Sequence, residues 1–124
     1  MNQMVLVFAA LFGMLSVVFG AFGAHRLKGL LSADLLQSFE TGVKYQFYHA
    51  IVLLVLGFNL EFKTSLENWI VYFFISGIIL FSFSVYGLTL SSSKGEKIKF
   101  LGPVTPIGGF LLIIGWGLLI YNFI

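Results

Sequence analysis

Charge is scarce in this chain. Asp, Glu, Lys and Arg make up 10% of its 124 residues, against roughly 25% in soluble domains. A folded chain this poor in charge cannot cover its surface with polar groups, so a bilayer is its expected solvent. Cysteine is absent, which excludes a disulfide framework, a Cys-based zinc site and a thiol nucleophile. The formal net charge is only +2 and no basic run occurs, so the electrostatic footprint of a nucleic-acid binder is missing. No acidic residue lies deep in an apolar segment, which argues against acid-based ion coupling. Walker A, GxSxG and HExxH patterns are lacking, as are paired carboxylates within a span. Low-complexity tracts and room for a second domain are missing as well.

What remains is hydrocarbon. Hydrophobic residues make up 59% of the chain, and its mean hydropathy is +1.01. Residues 4–24, 69–90 and 104–124 contain no charged side chain, and each approaches the 20 or so residues needed to cross a bilayer core. Residues 43–60 form a shorter fourth span, required because the polar stretch 59–68 must reach water. Long apolar runs without two-residue alternation exclude barrel strands. The expectation is an all-α integral membrane four-helix bundle, a single four-span domain over 1–124. The opening "MNQM" lacks the basic start of a signal peptide, so the first span is read as retained.

The seven Lys and Arg residues set a direction. Arg26, Lys28 and Lys44 flank the first connection, and Lys94, Lys97 and Lys99 lie in the third; only Lys63 lies in the second. The positive-inside rule then predicts an N-out, C-out protein of the inner cell membrane. Between spans one and two, Ser32 is a candidate N-cap with Asp34 in the first turn. Leu35, Leu36, Phe39 and Val43 follow at helical spacing, and Glu40 stands four residues before Lys44. This predicts a short amphipathic interfacial helix over 33–41 that either runs into span two or bends at Gly42.

Three stretches carry the candidate sites. Ala9, Gly13, Ser16, Gly20 and Gly23 recur at spacings of four and three, giving one small-residue face suited to close helix packing. In "TGVKYQFYHA", His49 lies about 9 Å into span two at 1.5 Å per residue. A histidine at that depth either hydrogen-bonds across helices or lines a functional pocket. Its position beyond the reach of a snorkelling lysine favours an orientation into the bundle, toward the inner ends of spans one and four. Tyr45 and Gln46 share its face, and His25, Tyr86, Thr105, Gly108 and Gly109 belong to the same leaflet, so one polar pocket is expected from these eight residues. In "GPVTPIGGF", Thr105 is a candidate N-cap and Pro106 a first helical residue. Arg26, Lys28 and Lys44 stand near the starts of spans two and four, a candidate contact for an anion or lipid headgroup. No local spacing supports a metal site.

At "GAFGAHRLKGLL", "FETGVKYQFYHA" and "GPVTPIGGFLLIIGW" the chain resembles the family catalogued as domain of unknown function 423. That family comprises small four-helix membrane proteins, mostly bacterial, with a mammalian relative called transmembrane protein 256. The resemblance covers nearly the whole chain and matches the family pattern at Gly20, Gly23, Ala24, His25, Tyr45, His49, Pro106, Gly108 and Gly109. It implies the fold and an inner-membrane location, and it implies no activity.

The expected function is therefore a non-enzymatic membrane module that binds lipid or a membrane protein partner, self-associates through glycine faces and needs no cofactor. The alternative is a transport or conduction component for a small solute, an ion or protons, with His49 in an inner-leaflet cavity.

Overall fold

The computed structural model describes residues 1–124 and is all-helical. Four helices dominate: α1 (Asn2–His25), α2 (Ala33–Asn59), α3 (Ser65–Ser93) and α4 (Leu101–Phe123). Helices α1, α3 and α4 are long and apolar enough to cross a membrane. Helix α2 has 27 residues, about 40 Å at 1.5 Å each. Its opening turns carry Asp34, Glu40 and Lys44, which dilute its apolar content below that of the other three.

The segment over 33–41 is helical and takes the first of its two expected courses, running into span two as one helix and not standing apart as an interfacial one. Ser32 caps it as expected, its hydroxyl accepting from Leu35 N at 3.2 Å, and the helix then runs unbroken through Gly42. Glycine at 42 serves close packing: a Cβ there would stand 2.9 Å from the Tyr86 ring and 3.2 Å from Val85 Cγ1. Leu27, Leu31, Phe39 and Tyr86 form a small core at this end, with Leu35 and Leu36 packed against it. The apolar face of the segment is thus spent on protein. Leu27 belongs to a 3-10 turn, Leu27–Gly29, that links α1 to α2.

Helix α3 begins at Ser65, four residues before the expected span. Thr64 supplies the cap by accepting from Glu67 N at 3.2 Å, while Glu67 Oε2 accepts from Lys63 N at 3.1 Å. Each side chain thereby satisfies an amide left free at a helix start. Within α3, Ile79–Phe83 widens into a π-helical turn. Gly108 of α4 sits directly against this turn; an added Cβ would lie 2.6 Å from Leu80 C and 2.7 Å from Phe81 Cα. Backbone meets backbone there, as small residues permit in membrane bundles.

Helix α4 starts at Leu101, so Thr105 is not its cap and Pro106 is not its first residue. Pro103 falls in the first turn, where a missing N–H costs nothing. Thr105 bonds instead to the Leu101 carbonyl at 3.3 Å and to Ser84 Oγ at 2.6 Å.

Helices α1 and α2 pack as one antiparallel pair and α3 and α4 as another, with α2 against α3. The main core is purely apolar and includes Val5, Ala9, Phe12, Leu53, Leu56, Ile70, Phe74 and Leu119. Asn2 Nδ2 donates to Gly57 O at 3.0 Å, tying the start of α1 to the last turn of α2. The outward faces carry Val7, Leu11, Met14, Val17, Ile51, Val55, Ile113 and Ile120, all exposed.

Candidate functional site

The opening half of α2 separates its side chains by face. Gly42, Gln46, His49, Leu53 and Leu56 point inward, while Lys44, Tyr45, Phe47 and Tyr48 point outward. Helical spacing of three and four produces this stripe, and it places two polar side chains inside the bundle.

Gln46 is 0% exposed. Its Nε2 donates to Phe12 O on α1 at 2.9 Å, and its Oε1 accepts from Tyr86 OH on α3 at 2.6 Å. Nearby, Ser82 Oγ donates to Gly42 O at 2.8 Å. A buried amide left unpaired would cost about 1–3 kcal/mol, and here both ends are paired across three helices.

His49 is 6% exposed and faces α4. Its Nδ1 lies 2.7 Å from Tyr45 O, and its Nε2 accepts from Trp116 Nε1 at 3.1 Å. An indole N–H can only donate and a carbonyl can only accept. The two contacts therefore assign a neutral ring with its proton on Nδ1. The Phe74 ring packs against both, with centroids 5.7 Å from His49 and 5.4 Å from Trp116. Above this pair a lateral groove of about 500 Å³ opens between α2 and α4, lined by Tyr45, His49, Pro106, Gly109, Ile113 and Trp116 among others. Trp116 itself is 44% exposed.

The single pocket expected from eight residues is thus divided. Gln46 and His49 are three positions apart, which turns their side chains about 60° from each other at 3.6 residues per turn. Gln46 joins Tyr86; His49 joins Tyr45 and Gly109. Gly108 packs on the π turn, Thr105 pairs with Ser84, and His25 is exposed at the end of α1 and joins neither group. His49 meets α4, but at Trp116 beyond the helix midpoint and not at the inner end that was expected; it does not meet α1, whose polar contact is made by Gln46.

Arg26, Lys28 and Lys44 are exposed. Glu40 and Lys44 form no ion pair; the one salt bridge, Lys63 to Glu61 at 2.7 Å, lies in the opposite connection. Along the small-residue face of α1, Ala9, Ser16 and Gly23 are buried. A Cβ at Gly23 would meet Phe39 at 3.1 Å, and one at Gly20 would meet Val43 at an ordinary 3.5 Å. Gly13 departs from the expected seam: nothing lies within 4 Å of a Cβ there.

Trp116 and Ser82 were not singled out by sequence reasoning. Trp116 had a partial signal: an indole N–H inside a span favours an acceptor, but the expected spans put Trp116 about 18 Å and His49 about 9 Å from their inner ends, so the two did not read as neighbours. Ser82 had none, because it lies in the π turn that brings it to Gly42.

Residues 19–109 match the family described as "Protein of unknown function (DUF423)". The chain is 43% identical over 119 residues to the UPF0382 membrane protein SAB0533 of Staphylococcus aureus (strain bovine RF122 / ET3-1), covering 95% of this chain and 93% of that relative. It is 40% identical over 121 residues to the UPF0382 membrane protein SH2409 of Staphylococcus haemolyticus, covering 97% and 94%. No solved structure matches. With four helices, apolar outward faces and relatives of this kind, the chain is an integral membrane protein of unknown function and belongs to the DUF423 family.

Proposed function

We propose that the protein is a non-enzymatic, multi-pass module of the cell membrane whose lateral groove takes a lipidic molecule from the bilayer. The observation that carries this reading is His49, nearly buried and hydrogen-bonded by Trp116 at the base of a groove of about 500 Å³. The groove faces sideways between α2 and α4, toward the region the outward apolar side chains would share with lipid tails. A molecule entering there stays in hydrocarbon until its head reaches the imidazole.

Helix α2 crosses with the other three in this account, since it packs along both α1 and α3. The Lys and Arg distribution supports N-out, C-out, with His49 near the middle of the bundle, since its partners Phe74 and Trp116 lie nearer the outer ends of α3 and α4. Binding is favoured over catalysis because both nitrogens of His49 are engaged by a backbone carbonyl and an indole. It is favoured over conduction because the buried polar groups Ser16, Gln46, His49, Ser82, Ser84 and Thr89 lie from mid-bundle to one end, while the other half is packed with Val5, Leu56, Ile70 and Leu119.

Ile113→Trp tests the reading. Ile113 lines the groove and is 67% exposed, so a larger side chain fills the groove without entering the core. Lipids extracted with the protein into native nanodiscs and weighed by mass spectrometry should lose a retained species in the variant. The same species at the same stoichiometry in both proteins would sink the proposal.

A further inference from the structure

The hydrogen bonds at the base of the groove restrict what it can hold. Resting on the groove reading above, we infer that its ligand is an apolar alcohol or phenol, whose hydroxyl inserts between Trp116 and His49. Nδ1–H of His49 is committed to Tyr45 O at 2.7 Å inside α2. Nε2, which accepts from Trp116, is therefore the one nitrogen that a ligand can take over, and it is an acceptor. Trp116 Nε1 is donor only. A ligand that parts the two must give a hydrogen bond to Nε2 and take one from Nε1 with the same head. A hydroxyl does both: Trp116 N–H donates to its oxygen, and its O–H donates to His49.

Heads that only accept or only donate fail one half of this requirement. An ether, ester or ketone oxygen accepts from Trp116 and leaves buried Nε2 without a donor. An ammonium donates to Nε2 and leaves the indole N–H unpaired. A carboxylate or phosphate only accepts, and no cation lines the groove to offset its charge. The movement required is small. Two hydrogen bonds of about 2.8 Å meeting at a tetrahedral oxygen span about 4.5 Å, against the present 3.1 Å. Trp116, 44% exposed, supplies that shift by tilting toward the groove.

The sequence has two tryptophans, Trp69 and Trp116. Trp69→Phe, on the outward face of α3, leaves Trp116 as the sole reporter. This protein in nanodiscs is titrated with geranylgeraniol and separately with geranylgeranyl methyl ether, following Trp116 emission. The alcohol should shift the emission and bind at least tenfold tighter than the ether. Equal affinities would overturn the hydroxyl rule while leaving a chain-binding groove in place. No response to either compound would remove the groove reading together with the rule. His49→Leu in the same background should abolish the preference for the alcohol. If that variant does not fold, the alcohol-to-ether ratio in the parent still decides.

Discussion

Gly108→Ala is a small substitution with a large expected effect. Glycine within a helix costs about 1 kcal/mol relative to alanine, so propensity alone predicts stabilisation. The structure predicts the reverse. The new methyl group would fall on Phe81 N, 2.6 Å from Leu80 C and 2.7 Å from Phe81 Cα, whereas carbon atoms settle at about 3.5–4.0 Å. All three obstacles are backbone, so no rotamer change relieves them, and α3 and α4 must separate by roughly 1 Å. Overpacking typically costs about 1–3 kcal/mol, and a backbone obstacle places this case at the upper end. Separation also stretches the Ser84–Thr105 hydrogen bond, now 2.6 Å, worth about 1 kcal/mol. Subtracting the propensity gain leaves a net loss of about 2–3 kcal/mol. Gly117→Ala is the control, since nothing lies within 4 Å of its Cβ, and it should be neutral or stabilising by up to about 1 kcal/mol. Unfolding in mixed detergent micelles compares the three proteins. Gly108→Ala as stable as Gly117→Ala would refute the backbone contact.

Gln46→Leu orphans the Tyr86 hydroxyl inside the bundle and should cost about 1–3 kcal/mol in the same assay; an unchanged midpoint would remove the Gln46–Tyr86 bond from the account. Gly13→Ala should be tolerated, since its Cβ meets nothing within 4 Å, whereas Gly77→Ala drives into Leu112, whose N lies 3.1 Å from a Cβ at that position, and should lower stability by about 1–3 kcal/mol; equal behaviour of the two would contradict the packing. Thr64→Ala removes the cap of α3 and should lower stability by about 1 kcal/mol, read from the detergent melt. For orientation, Ser65→Cys and Ser92→Cys are placed singly in this cysteine-free chain, and an impermeant thiol reagent on intact cells should label position 65 and spare 92. The opposite pattern inverts the topology.

Membrane character and the number of helices were legible because apolar run length is a direct function of composition. Boundaries were less so. The start of α3 moved outward to Thr64 because a cap pair, Thr64 with Glu67, can extend a helix beyond its apolar run; those residues carry the motif, but hydropathy alone passes over them. The start of α4 was masked by two prolines: Pro106 reads as a first residue, yet Pro103 occupies the first turn and Pro106 is tolerated inside the helix. His49 was legible as buried because an imidazole among lipid tails is unfavourable, and its direction followed only in part. One polar pocket was expected because helical spacing gives the face of each residue but not which neighbour stands opposite it. Gln46 and His49, 60° apart on α2, face different helices. The π turn at Ile79–Phe83 has no local sequence signal, and it alone brings Ser82 to Gly42 and Gly108 against Phe81.

The groove over His49 is the centre of the functional account, and a structure determined in native lipid tests it most directly. The account predicts elongated non-protein density between α2 and α4, running past Ile113 and ending within hydrogen-bond distance of His49 Nε2 or Trp116 Nε1. A groove closed by its own side chains, or filled by a second protein chain, would contradict it.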